Sequence, residues 1–473
     1  MTLRRTASER RSFAWRRRRR KEHPLKARWV VATVGLLLAT LIVGSASASA
    51  TSTDLDPTFG GGRGWVHSGF MCCDPPRPAS DTAEALVVQA DGRIVTMGRS
   101  WQGTRFLLGL FRYLPDGSPD PSFGSTGTGG VLARFGKSVL PAGMALQADG
   151  KIVVVAEKPR YDSIVLARYN PDGSLDASFG DAGRVLSAPG FRKRASVSSI
   201  IIQASGRIIV GGTSSRPSDF ALVGYRADGS LDDAFGTDGV VSIDLADSVD
   251  HLSDLAIDHE GRILAAGTAI RTRRPIPPSL EPQLDPSMAV ARFSADGALD
   301  PNFGVDGRSL VSFTRGFVDD GTVGRAVALQ GDGKVLLAGG RRDGPALARL
   351  ESNGEIDYSF GDRGRLTADR IPLVRGVPME RSLDVVADSD DRIYALTQLD
   401  LGHQRPLRAA ILRLLPDGSL DSAFSGNGVA TARMRHGYDI STVALQPGRI
   451  LGAGSIENPE KWGRDFAVFA FRS

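Results

Sequence analysis

RYNPDGSLDASFG, residues Arg168 to Gly180, is the stretch that decides how this chain is read, because its second half keeps returning. It recurs as LDPTFG ending at Gly60, PDPSFG at Gly124, LDDAFG at Gly236, LDPNFG at Gly304, IDYSFG at Gly361 and LDSAFS at Ser425. The phenylalanines Phe59, Phe123, Phe179, Phe235, Phe303, Phe360 and Phe424 follow one another at steps of 64, 56, 56, 68, 57 and 64 residues. A near-fixed period of this size marks stacked supersecondary units, with the surplus residues falling in loops.

Each part of the unit has a local reason. Asp176 is suited to cap a single helical turn, and Gly180 to end it at positive φ. The phenylalanine then anchors the turn against the core. A second element lies between these turns: QADGRIV from Gln89, QADGKIV from Gln147, QASGRII from Gln203, DHEGRIL from Asp258, QGDGKVL from Gln330, DSDDRIY from Asp388 and QPGRIL from Gln446. Asp-Gly between aliphatic runs predicts a hairpin with a type I′ turn. Asp391 in place of glycine, and the shortened Pro447-Gly448, predict that the sixth and seventh hairpins are the least regular. A third strand, such as Ile164 to Tyr169 or Phe220 to Tyr225, is apolar on both faces, as in a sheet sandwiched between neighbours. A short fourth strand follows the phenylalanine turn, as at Arg184 to Ser187.

Seven copies of four strands read as an all-β fold, a seven-bladed β-propeller. The chain enters at a phenylalanine turn and one strand, Gly64 to Ser68, and its last copy stops after the third strand, Phe466 to Phe471. The N-terminal strand is therefore expected to complete the last blade and close the ring without an open sheet edge.

This pattern resembles the delta-60 repeat family of bacterial exported proteins, whose units read approximately LARYNPDGSLDTSFG with QPDGKIVVAG. The resemblance covers residues 54 to 473 and implies a propeller-like domain; it brings no catalytic residues. Arg168 has counterparts at Arg112, Arg292, Arg349 and Arg413, while Gly224 and Ala470 depart from the pattern. An ion pair or backbone contact between blades is the expected role of that arginine.

Residues 1 to 28 hold twelve Lys or Arg against Glu9 and Glu22, and WVVATVGLLLATLIV, Trp29 to Val43, leads into SASASA ending at Ala50. A basic segment, a short apolar run and an A-x-A site read as a secretory signal peptide over residues 1–50, ahead of a propeller at 51–473. Secretion is the expected destination; an uncleaved leader would instead anchor the chain to the cytoplasmic membrane. No membrane span is expected after Val43. The formal charge of +5 rests on the leader, whose removal leaves 46 cations against 51 anions. Nucleic acid thus loses its main support as a partner. The two cysteines, Cys72 and Cys73, are adjacent and cannot staple distant parts of the chain.

Strand connections alternate between two faces. The Asp-Gly hairpins and the PDGSLDxSFG turns share one face and are uniform; the other face receives almost all length variation, in loops such as Gly69 to Ala83, Thr268 to Met288 and Ser455 to Asp465. Variable loops on a rigid support are where binding resides. Aromatic residues stand beside cations there, giving the candidate contacts Trp101, Arg105, Arg160, Tyr161, Arg192, Lys193, Arg194, Arg435, Tyr438 and Trp462. Stacking plus guanidinium hydrogen bonds would suit an acidic polysaccharide or an envelope protein.

The usual catalytic and metal spacings are missing: no HExxH, no CxxC and no G-x-S-x-G between strand and helix. Turn and cap duties account for Asp172 and Asp176, so neither metal nor cofactor is expected. A noncatalytic binding or scaffolding module follows, with a carbohydrate-active enzyme, a lyase or hydrolase acting at the channel mouth, as the alternative.

Overall fold

The computed structural model describes residues 54–72, 77–136, 138–158, 163–187, 189–191, 195–215, 218–246, 249–273, 283–313, 321–342, 344–368, 384–399, 408–432, 438–458 and 463–473. The leader and Cys73 lie outside them. The elements are β-strands, beginning with β1 (Trp65–Ser68) and the short pair β2 (Met71–Cys72) and β3 (Arg77–Pro78). Then come β4 (Ser80–Val88), β5 (Ile94–Trp101), β6 (Phe106–Tyr113) and β7 (Gly130–Ala133), followed by β8 (Leu140–Leu146), β9 (Ile152–Lys158), β10 (Ser163–Tyr169) and β11 (Arg184–Ser187). The third run is β12 (Ser196–Ile202), β13 (Ile208–Thr213), β14 (Phe220–Tyr225) and β15 (Val240–Ile243). The fourth is β16 (Val249–Ile257), β17 (Ile263–Arg273), β18 (Gln283–Phe293) and β19 (Arg308–Val311). The fifth is β20 (Val323–Leu329), β21 (Val335–Arg341), β22 (Gly344–Leu350) and β23 (Arg365–Thr367). The sixth is β24 (Asp384–Ala387), β25 (Ile393–Leu399), β26 (Arg408–Leu414) and β27 (Val429–Thr431). β28 (Tyr438–Gln446), β29 (Arg449–Glu457) and β30 (Arg464–Arg472) end the chain.

The runs β8 to β27 form five separate four-stranded antiparallel sheets, each paired in sequence order. β4 to β7 pair likewise, and a parallel bridge between Ser80 and Arg464 joins them to β28, β29 and β30. β1 runs antiparallel to β30, with Trp65 opposite Phe469 and Ser68 opposite Phe466, so the N-terminal strand lies fourth beside the last three. The third strands are buried along both faces, as the apolar runs predict: every residue of β14 is buried, and β10 is buried from Ile164 to Tyr169. Thr268 to Met288 is a loop only in part. β17 and β18 stay paired out to Arg273 and Gln283, which extends this hairpin beyond the others.

The hairpin turns differ from the expected type I′. Gly92 N–H donates to the Gln89 carbonyl and Gln89 N–H to the Arg93 carbonyl, with positive φ at Gly92 and not at Asp91. That is a type I turn followed by a left-handed glycine, the three-residue hairpin loop. Asp91 uses its carboxylate to accept the Arg93 N–H at 3.0 Å. The sixth hairpin is as regular as the rest, because Asp391 itself adopts φ 59° and donates to the Asp388 carbonyl. The seventh is shorter but in register, with Gln446 paired to Arg449. Asp176 likewise caps a β-turn, not a helical one: Phe179 N–H donates to its carbonyl, and its Oδ1 accepts from the Ser178 N–H and hydroxyl.

Six of the seven phenylalanine turns are bolted to the following sheet, the exception among the described residues being that of Phe424, where Arg413 pairs with Asp421 of its own repeat. Arg168 Nε donates to Asp176 Oδ2 at 2.7 Å, its guanidinium lies 4.8 Å from the Phe179 ring centre, and its Nη1 donates to the Ala227 carbonyl in the next turn at 2.6 Å. Gly180 N–H donates to the Asp228 carbonyl beside it. Arg112 and Arg292 repeat the arrangement toward Pro171 and Ser352, and Arg349 toward Pro416. Where the third strand lacks the arginine, at Gly224 and Ala470, an arginine just before or at the start of the second strand replaces it. Arg207 reaches Asp232 and the Ala295 carbonyl, and Arg449 reaches Asp56 and the Pro115 carbonyl. The turn glycine completes the joint, since a Cβ on Gly173 would stand 2.9 Å from the Phe123 ring.

Candidate functional site on the loop face

The bolts above occupy the face that carries the uniform turns. Their charges are spent on structure: the Asp176 carboxyl sits well below the usual carboxylate range, chiefly through the Ser178 hydroxyl, with Lys151 and Arg168 adding to it. The opposite face receives the β5–β6 and β13–β14 loops and the crossings from each fourth strand to the next first strand.

At the β5–β6 loop, Trp101 ends its strand 37% exposed and packs on Phe106 at 4.7 Å between ring centres. Arg99 stands 5.5 Å from the Phe106 ring on the same ledge and is paired with Glu84. Arg105 Nη1 reaches the Gly136 carbonyl at 3.4 Å. Two of the predicted contacts, Trp101 and Arg105, thus share the β5–β6 loop. Tyr438 is a correction: it is 5% exposed, packs on Phe469, and gives its hydroxyl hydrogen to the Ala432 carbonyl, because β28 begins there with its side chain turned inward. Arg160, Tyr161, Arg192, Lys193, Arg194, Arg435 and Trp462 lie outside the described residues.

Two groups of carboxylates on this face escaped the sequence reading. Where β30 meets β4, Asp465 Oδ2 lies 2.7 Å from His67 Nδ1 and accepts from Asn458 Nδ2 at 2.8 Å. Asp81, fully buried beside them, accepts the Phe70 N–H at 2.7 Å, and burial pushes its carboxyl up to about 7 despite hydrogen bonding that opposes the shift. Where β14 meets β16, Asp219, Asp244 and Asp250 bring carboxylate oxygens within 4.8 Å of one another. Burial, with repulsion from Asp244 and Asp219, raises Asp250 to about 6 against the pull of the Leu245 N–H, and Asp219 is raised by burial and by Asp244. These residues are far apart in the chain or sit in unlike loops. The one sequence signal is the Asp-Phe pair opening both third strands, at 219–220 and 465–466.

Five stretches of the chain, residues 89–123, 147–179, 203–235, 330–360 and 405–424, match a family described as a domain of unknown function (DUF5122) beta-propeller. The chain carries β-propeller repeats. Among solved structures, this propeller is similar to the PQQ-bound aldose sugar dehydrogenase of Streptomyces coelicolor, at 12% identity over 70% of this chain and 94% of that one, with a TM-score of 0.39. It is also similar to YCF48 bound to D1 peptide, at 10% identity over 86% and 97% with a TM-score of 0.43, and to the polysaccharide lyase Uly1, at 10% over 82% and 89% with a TM-score of 0.45. No curated protein matches. No helix among the described residues is long and apolar enough to cross a membrane.

Proposed function

We propose that the chain is an exported seven-bladed propeller whose ring is closed by β1, acting as a noncatalytic binding or scaffolding module through its loop face. The pairing of β1 with β30 supports the closure, and the basic, apolar and A-x-A leader supports export. The observation that carries the binding role is the β5–β6 hairpin, whose part-exposed Trp101 indole packs on Phe106 while Arg99 lies over the same Phe106 ring and Arg105 extends from the adjoining loop. An indole face stacks on a sugar ring or an apolar side chain, and nearby guanidiniums hold carboxylate or sulfate oxygens. An acidic envelope polysaccharide fits that chemistry best, ahead of an acidic protein surface. Binding of the leaderless chain to fractionated envelope polysaccharides across a salt series tests this, alongside Trp101→Ala and Arg105→Glu. Saturable binding that weakens with salt and in both variants is the expected result. Binding indifferent to both, or none to any fraction, overturns it.

A carbohydrate-active enzyme is the second reading, and one observation favours it. His67 is part-exposed on the loop face and oriented by Asp465, as a general base must be. Turnover of an envelope polysaccharide that disappears in His67→Ala, with binding retained, would select this reading over the first.

A further inference from the structure

The two carboxylate groups occupy equivalent places in different repeats, which the strand registers establish. Phe220 pairs with Ile243 as Phe466 pairs with Ser68, so Asp219 corresponds to Asp465, Ser242 to His67, Asp244 to Gly69 and Leu245 to Phe70. The first strands agree as well: Asp250 and Asp81 each precede the bulge by the same two residues. Their hydrogen bonds match, Leu245 N–H to Asp250 and Phe70 N–H to Asp81. A Cβ on Gly69 would stand 2.3 Å from Asp465 Oδ1 and 3.4 Å from Asp81 Oδ2, which shows how close a side chain at that position comes to both acids.

The contents differ. At the β30/β4 junction Asp465 meets the His67 imidazole and the Asn458 amide. At the β14/β16 junction the histidine position is Ser242 and the glycine position is Asp244, so the imidazole is lost and a third carboxylate is gained. Asp250 is 1% exposed there, and its Oδ1, like that of Asp81 at the other junction, makes no hydrogen bond. The nearby Arg308 guanidinium donates to the Asp244 main-chain carbonyl. A buried acceptor left unmatched is costly, and a cation among three converging carboxylates would offset their repulsion.

We propose that Asp219, Asp244 and Asp250 form a binding site for a hard divalent cation, calcium by size. Oxygens no more than 4.8 Å apart suit an ion reached at about 2.3–2.6 Å, and carboxylates are the donors calcium takes. The backbone holds the site in register, because Asp250 N–H donates to the Ser218 carbonyl and so ties the segment before β14 to the start of β16. The ion clips one repeat to the next where the other junction uses a histidine.

The test is calorimetric titration of the EDTA-treated, leaderless chain with calcium chloride, and separately with magnesium chloride, with thermal melts alongside. One calcium site with a Kd of about 10⁻⁴–10⁻³ M is expected, with a Tm raised by about 2–4 °C at saturation and a weaker magnesium response. Asp219→Asn and Asp244→Asn should each lower affinity at least about tenfold, whereas Asp465→Asn at the other junction should keep the calcium response. Ser242→His, which places an imidazole as His67 is placed, should reduce the calcium-dependent Tm shift. A folded parent chain without a calcium response, or an undiminished response in both Asp219→Asn and Asp244→Asn, overturns the proposal.

Discussion

Arg168 and Asp176 meet at 2.7 Å in a buried ion pair that belongs to one repeat, while the same guanidinium closes on the Ala227 carbonyl of the next. The pair is thus a joint between sheets as well as a bond within a turn. Removing the arginine alone leaves a buried carboxylate with only Lys151, at 3.2 Å, to neutralise it. Arg168→Ala should cost about 3 kcal/mol in urea unfolding, and Arg168→Ala with Asp176→Ala distinctly less than the two single losses added. Additive losses would show that the two side chains act independently.

Arg207 predicts an outcome that its sequence position hides. It lies in the hairpin turn just before β13, yet it reaches Asp232 at 2.6 Å and the Ala295 carbonyl at 2.8 Å, as third-strand arginines do elsewhere. Arg207→Ala should therefore destabilise by about 2 kcal/mol, somewhat less than Arg168→Ala because the Arg207 side chain is less deeply buried. An effect within about 0.5 kcal/mol, the usual size for a surface arginine, would remove it from the joint.

These two arginines also show where the sequence was legible. The period of the phenylalanines and the Asp-Gly hairpins follow from local rules, so the four-stranded units and their boundaries could be read directly; Arg184 to Ser187 and Phe220 to Tyr225 are strands as expected. What depended on neighbours in space could not be read. The replacement of the missing arginine at Gly224 by Arg207 needs the two strands side by side, and Asp391 looked like a defect until its φ of 59° showed the turn unchanged. Tyr438 seemed a loop residue because its burial against Phe469 comes from a strand 31 residues further on. The carboxylate groups were invisible for the same reason: Asp81 and Asp465 sit at opposite ends of the chain.

Two glycines separate backbone strain from packing. Gly173 has φ 84°, and a Cβ there would meet the Phe123 ring at 2.9 Å and the Gly124 nitrogen at 3.0 Å; Gly127 has φ 70° with open space around it. Gly127→Ala should cost only the left-handed conformation, about 1 kcal/mol, and Gly173→Ala about 3 kcal/mol or more. Equal losses in chemical denaturation would mean that the Phe123 contact adds nothing.

Asp81 gives the chain a pH dependence of known sign. Its folded carboxyl titrates at about 7, above the ordinary value of 3.8, so in between the folded chain holds a proton that the unfolded chain has released. Stability from this group is complete below about pH 4 and is lost as pH rises through 7, a change on the order of 4 kcal/mol. Asp81→Asn keeps an oxygen for the Phe70 N–H without the charge. Its stability relative to the parent should rise steadily from pH 4.5 to 7.5 in urea melts. A parent-to-variant difference that stays flat across that range would show that Asp81 ionises as an ordinary surface carboxylate does.

If the ring is closed as proposed, the closure rests on the pairing of β1 with β30, and its contribution is measurable. Phe59 is fully buried, Leu55 bridges Phe471, and Trp65 to Ser68 pair with β30. Arg449 then binds Asp56 across the two ends of the chain. Deleting residues 54–70 removes all of these at once and uncovers the outer edge of β30, which is otherwise buried from Asp465 to Phe471. A milder change separates closure from simple loss of core: Val66→Pro removes a backbone donor in the β1–β30 ladder, whose partner is Val468, and leaves Phe59 and Asp56 in place. If β1 closes the ring, this variant should lose about 3 kcal/mol, and amide exchange should rise first along β30. Unchanged exchange in β30 would mean that the N-terminal strand is an ornament on the last sheet and that the ring holds without it.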